Sequence, residues 1–87
     1  MQRNECLEQA KVLINGDRAV DYGAALTNHQ RIAALWSAYS CRTYSPVDVA
    51  MMMMLVKIAR TMEHSKDDSF IDMAGYAALA YEMSHEF

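Results

Sequence analysis

The 87-residue chain has one proline and three glycines, and so few positions where a backbone turns readily. That scarcity argues against a sheet of many short strands and favours long helices. Cysteine is sparse too. Cys6 and Cys41 stand far apart, with no CxxC or CxxH spacing, which excludes a disulfide framework and a zinc site and leaves two ordinary thiols suited to a reducing compartment. Eight Lys and Arg are scattered against eleven Asp and Glu, for a net charge of −3. No cationic stripe is available to neutralise a phosphate backbone, so direct binding to duplex nucleic acid is not expected. A membrane-spanning run is also lacking: the longest apolar stretch, Val47 to Val56, is broken by Asp48 and is far shorter than the ~20 residues that cross a bilayer. Residues 1–8 carry Arg3, Glu5 and Glu8 with no apolar centre, unlike a secretory signal, so a cytoplasmic protein is expected.

What the chain has in abundance is hydrophobic residues, 53% of the total and eight of them Met, arranged at helical spacing. The pattern predicts a single all-α domain over 1–87, a compact bundle of four helices at about 5–15, 24–40, 46–63 and 69–85. Asn4 is positioned to cap the first helix, on which Leu7, Ala10, Leu13 and Ile14 recur, and Gly16 to end it. A connector bracketed by Gly16 and Gly23 follows. In the second helix Thr27 and Gln30 form a capping-box pattern, and Ile32, Leu35, Trp36 and Tyr39 make an inward stripe. Ser45-Pro46-Val47-Asp48 is the sharpest start signal, with an N-cap hydroxyl, a proline at the first helical position and an acid that complements the helix dipole. The third helix is apolar nearly all round, which suits the middle of a bundle or a contact between two protomers. Asp67 or Asp68 caps the fourth, whose Phe70, Ala74, Ala77 and Tyr81 share a face. An 87-residue chain buries only roughly 60–65% of its unfolded surface, so a homo-oligomer, a dimer first of all, is expected.

Met51 to Met54 occupy four consecutive positions and point around the whole helix, which rules out one thioether cage for copper. They either fill the core or, with Met51, Met54 and Met62, offer an adaptable surface to a partner. Charges that interrupt the apolar faces form a second group. Lys57 and Arg60 are one turn apart on the third helix, Asp68 and Asp72 one turn apart on the fourth, and an antiparallel hairpin brings all four together. Such a cluster is either an interhelical salt-bridge network or a phosphate-binding pocket with the two cations as donors. His29, one turn before the stripe of the second helix, is either a hydrogen-bonded core group or a ligand contact. Arg18, in the connector, joins the phosphate candidates. With no His or Cys partner at i+4, neither a transition metal nor another cofactor is expected.

The order Gly16-Asp17-Arg18, Asp21-Tyr22-Gly23, Asn28-His29-Gln30-Arg31-Ile32-Ala33, Leu35-Trp36, Ser45-Pro46-x-Asp48-Val49, Lys57-Ile58-Ala59-Arg60 and Asp68-Ser69-x-x-Asp72-x-Ala74-Gly75-Tyr76-Ala77 resembles a family of small bacteriophage proteins without an established activity. The match runs over about residues 11 to 82. The pattern also looks like the nucleotide-modification-associated domains of phage genomes and, more remotely, is similar to the all-α nucleoside triphosphate pyrophosphohydrolases of the MazG and dimeric dUTPase type. That resemblance implies a MazG-like helical bundle in the cytoplasm of a bacterial host. Those enzymes hold Mg²⁺ with an ExxE motif on one helix and an ExxD-type motif on the next. Here Asp68 and Asp72 answer the second motif, while Lys57 and Arg60 stand where the first belongs, so no catalytic residue is assigned and Mg²⁺ is expected only if the hydrolase reading holds. Two functions stay open: a nucleotide-binding or accessory role in phage nucleotide or DNA-modification metabolism, and a non-enzymatic protein that binds and antagonises a host factor.

Overall fold

Ser45 and Asp48 start the best-defined helix of the chain. The Ser45 Oγ accepts from the Asp48 amide at 3.0 Å, and an Asp48 carboxylate oxygen accepts from the Ser45 amide at 2.9 Å, a reciprocal capping box with Pro46 at the first helical position. The computed structural model describes residues 2–16, 25–63 and 67–85. Among these residues it is all helical, with no strand: α1 Arg3–Asn15, α2 Ala25–Ser40, α3 Pro46–Glu63 and α4 Asp67–Ser84. The four elements agree with the sequence reading to within two residues at each described end.

Local chemistry differs from expectation at four ends, one of them the start of α4, where Asp67 and Asp68 lie in the first turn rather than at the cap. Helix α1 begins before Asn4, with Gln2 at the cap position and no side-chain cap bond, so Asn4 lies in the first turn. Helix α2 is already running at Ala25, which puts Thr27 inside it rather than at its cap. Gly16 does end α1, but its φ of −96° is not left-handed. Glycine is required there by space: a Cβ would lie 2.8 Å from the Val12 carbonyl oxygen. The left-handed residue is Cys41, φ 59°, just past the end of α2. The turn it makes is held by Ser37, whose hydroxyl accepts from the Tyr44 amide at 2.9 Å, and by the edge-on contact of half-buried Trp36 with Tyr44.

The most extensive packing joins α3 to α4, followed by α1 on α4 and α2 on α3. Helices α3 and α4 therefore share the middle of the bundle, with α2 packed on α3 and α1 on α4. The physical reason is side-chain size. The buried residues of α4 are Ser69, Ile71, Gly75, Ala80 and Met83, mostly small, so other helices can approach it from two sides. A Cβ on Gly75 would sit 3.0 Å from the Ile14 Cγ2, which marks how closely α1 comes in. Ala50, Ala80 and Met83 form the innermost cluster, with Leu26, Val47, Tyr76 and Leu79 packed against it.

This small-residue core leaves larger ones outside. On α2 the buried positions are His29 and Ala33, and the expected inward stripe is half wrong: Ile32 and Trp36 are half-buried, whereas Leu35 and Tyr39 are exposed. On α4 the Phe70, Ala77 and Tyr81 side faces outward, because the helix turns its small residues to its neighbours.

Two variants test these arguments. Gly75→Val should clash with Ile14 and cost about 1–3 kcal/mol in denaturant unfolding, a loss relieved by shortening Ile14 to Ala. Cys41→Gly should raise stability by about 0.5–1 kcal/mol by removing left-handed strain, read as a higher thermal midpoint.

Candidate functional site

Helices α3 and α4 are joined by three residues and pack as a hairpin, which brings charges on their facing sides to the same level. Lys57 Nζ lies 3.0 Å from an Asp72 carboxylate oxygen, and both side chains are largely buried, 14% and 23% exposed. At that burial the pair is held in place by mutual need, since either charge alone would be poorly solvated. Arg60, one turn on from Lys57, and Asp68, one turn before Asp72, are exposed and enter no salt bridge among the described residues. The expected cluster of four is therefore one closed pair flanked by an open cation and an open anion. Its outer members sit near the end of the hairpin, where the helix ends leave side chains in water.

A second polar group reaches the same face of α4. Tyr76 follows Asp72 by one turn, so the two share a face, and the His29 ring meets Tyr76 edge-on with centroids 6.3 Å apart. His29 is 5% exposed. Its Nδ1 lies 2.8 Å from the Ala25 carbonyl oxygen, and because a carbonyl only accepts, Nδ1 is the donor of that bond. That Nε2 is buried and has no partner among the described residues. The reading of His29 as a hydrogen-bonded core group is met at Nδ1, and Nε2 has no partner among the described residues.

Lys57, Asp72, Tyr76 and His29 form one line across three helices. Tyr76 was not among the candidate residues, although its spacing of four from Asp72 and its place in the Asp72-x-Ala74-Gly75-Tyr76 segment were both visible. Arg18 lies outside the described residues. Of the methionines offered as a partner surface, Met51 and Met62 are exposed, but Met54 is half-buried on the flank of α3, turned partly toward the bundle. A shallow open depression where α2 meets α3, lined by 41–44, Asp48, Met51 and Met52, contains none of the polar candidates.

The carboxylates that would hold Mg²⁺ do not assemble. No group of three or more His, Cys, Asp or Glu side chains suited to a metal ion occurs among the described residues. Asp72 is already neutralised by Lys57, whose ammonium opposes a divalent cation at that carboxylate.

Residues 5–84 match the domain of unknown function DUF6378. The chain belongs to that family. It is 51% identical over 79 residues to the Gene 55 protein of Mycobacterium phage L5, a match covering 88% of this chain and 51% of the phage protein. To the Gene 55 protein of Mycobacterium phage D29 it is 45% identical over 83 residues, covering 92% and 54% respectively. This DUF6378 chain thus spans about half the length of the curated relatives it matches, and the likeness to bacteriophage proteins read from its residue pattern is borne out. No solved structure matches it. No helix among the described residues is long and apolar enough to cross a membrane.

Replacing Asp72 by Ala should strand a largely buried Lys57 cation and cost about 2 kcal/mol in urea unfolding, whereas Lys57→Met with Asp72→Leu should be nearly neutral. A fully additive pair of losses would argue that the two side chains do not depend on each other.

Proposed function

We propose that this domain binds a phosphorylated ligand of nucleotide type along the α3–α4 face, as an accessory factor in phage nucleotide or DNA-modification metabolism and without hydrolysing it. The observation that carries this reading is the buried, unpartnered Nε2 of His29, two side chains away from the Lys57–Asp72 pair. A buried polar atom with no hydrogen-bond partner costs about 1–3 kcal/mol, and a ligand group hydrogen-bonded to it would recover that loss. Arg60 is the open cation one turn beyond Lys57, and a guanidinium suits the fork of a phosphate. Lys57 can exchange its carboxylate partner for a phosphate oxygen without leaving its place.

The remote resemblance to all-α pyrophosphohydrolases and their MazG-like bundle supports a phosphate ligand. Binding without turnover is supported by the missing first acidic motif and by Lys57 beside Asp72. The alternative, a protein that antagonises a host factor, leaves His29 and the ion pair without a role.

Calorimetric titration with nucleoside mono-, di- and triphosphates, with and without Mg²⁺, tests the proposal. Binding should appear without Mg²⁺, and Arg60→Ala should weaken it at least about tenfold while leaving the thermal midpoint within a degree or so. The ¹⁵N shift of His29 Nε2 should move on saturation. Absence of binding by every nucleotide class would overturn the proposal.

A further inference from the structure

One side of α3 carries a line of uncovered apolar residues. Met51, Leu55, Ile58 and Met62 are 52%, 62%, 41% and 82% exposed, and their spacing of four, three and four residues is that of a coiled-coil seam. The buried residues of the same helix, Val49 and Ala50, lie on the opposite side. Nothing in the sequence of a lone bundle requires this second face, which runs nearly three turns.

We infer that this stripe is the contact between two copies of the chain, packed through antiparallel α3 helices about a twofold axis. Three observations select a second copy. The stripe is palindromic: a twofold axis midway between Val56 and Lys57 sets Met51 against Met62 of the second copy and Leu55 against Ile58, so the surface complements itself. The residues flanking the seam, Met52, Met54, Ala59 and Thr61, carry no charge, so a second copy meets no like charge along it. The surface area also agrees. The accessible surface is 6328 Å², whereas a compact 9.9 kDa monomer exposes about 5,200 Å². That excess of roughly 1,100 Å² is comparable to the ~800 Å² each partner contributes to a standard interface. The radius of gyration, 13.5 Å against about 12 Å for a globular chain of this length, agrees.

The antiparallel sense follows from charge. A parallel pair would place Asp48, the next seam position toward the start of α3, against its own copy, and would align both helix dipoles unfavourably. Antiparallel packing separates the two Asp48 side chains by the length of the helix and opposes the dipoles. The inference does not rest on the phosphate ligand, since Lys57, Asp72 and His29 lie off the stripe.

Sedimentation of the intact chain at micromolar concentration tests it. A dimer is expected, and Leu55→Glu should raise its dissociation constant roughly a hundredfold or more while leaving the helical circular dichroism unchanged, because Leu55 is exposed in each copy. In a Cys6→Ser, Cys41→Gly background, Met51→Cys mixed with Met62→Cys should cross-link on oxidation, and neither variant should cross-link alone. A monomeric chain would overturn the inference. Cross-linking of Met51→Cys to itself, or a dimer indifferent to Leu55→Glu, would do the same.

Discussion

The close approach of helices to α4 is the constraint on which the rest of this structure depends. Where Gly75 meets Ile14, and where Ala80 meets Ala50 and Met83, there is no side-chain bulk to hold the helices apart. Small residues at these positions let α1 and α3 both pack closely against α4. The consequence is an economy of apolar contact. Few large side chains are enclosed, Val49 and Met83 most completely, and Leu7, Leu35, Leu55 and Tyr81 remain outside. A bundle built this way has strong local structure and a thin interior, which is the condition under which further burial against another surface contributes most to stability.

The same arrangement concentrates polar chemistry on the hairpin of α3 and α4. Lys57 and Asp72 meet where the two helices face each other, and Tyr76, one turn along, carries the line toward His29 on α2. The packing that buries the pair also sequesters the imidazole and leaves Nε2 buried without a partner among the described residues. A core that holds a polar atom without a partner beside an ion pair retains polarity that apolar contact would remove. This polar line lies apart from the apolar stripe of α3.

Membership of the DUF6378 family and the likeness to mycobacteriophage Gene 55 proteins place these features in a phage context. The relatives extend well beyond the matched region, so the features described belong to the shared half of those proteins. Within that half, Lys57 and Arg60 bring two cations to one end of α3, groups that attract anions and repel divalent cations.

What the sequence determined by itself was the set of elements. Ser45, Pro46 and Asp48 act through bonds within four residues of one another, so the start of α3 was legible to the residue, and helical spacing located all four helices. The Lys57–Asp72 contact was legible too, because a short connection leaves a hairpin little freedom of register. Which face of each helix is inward was decided only by the tertiary structure. Tyr39 and Phe70 looked like core residues because periodicity marks an apolar face without naming its partner, and the small residues that actually admit neighbours, Gly75 and Ala80, carry little hydrophobic signal. The open nitrogen of His29 was beyond sequence for the same reason: whether a buried polar atom finds a partner depends on groups from other helices, brought near by packing.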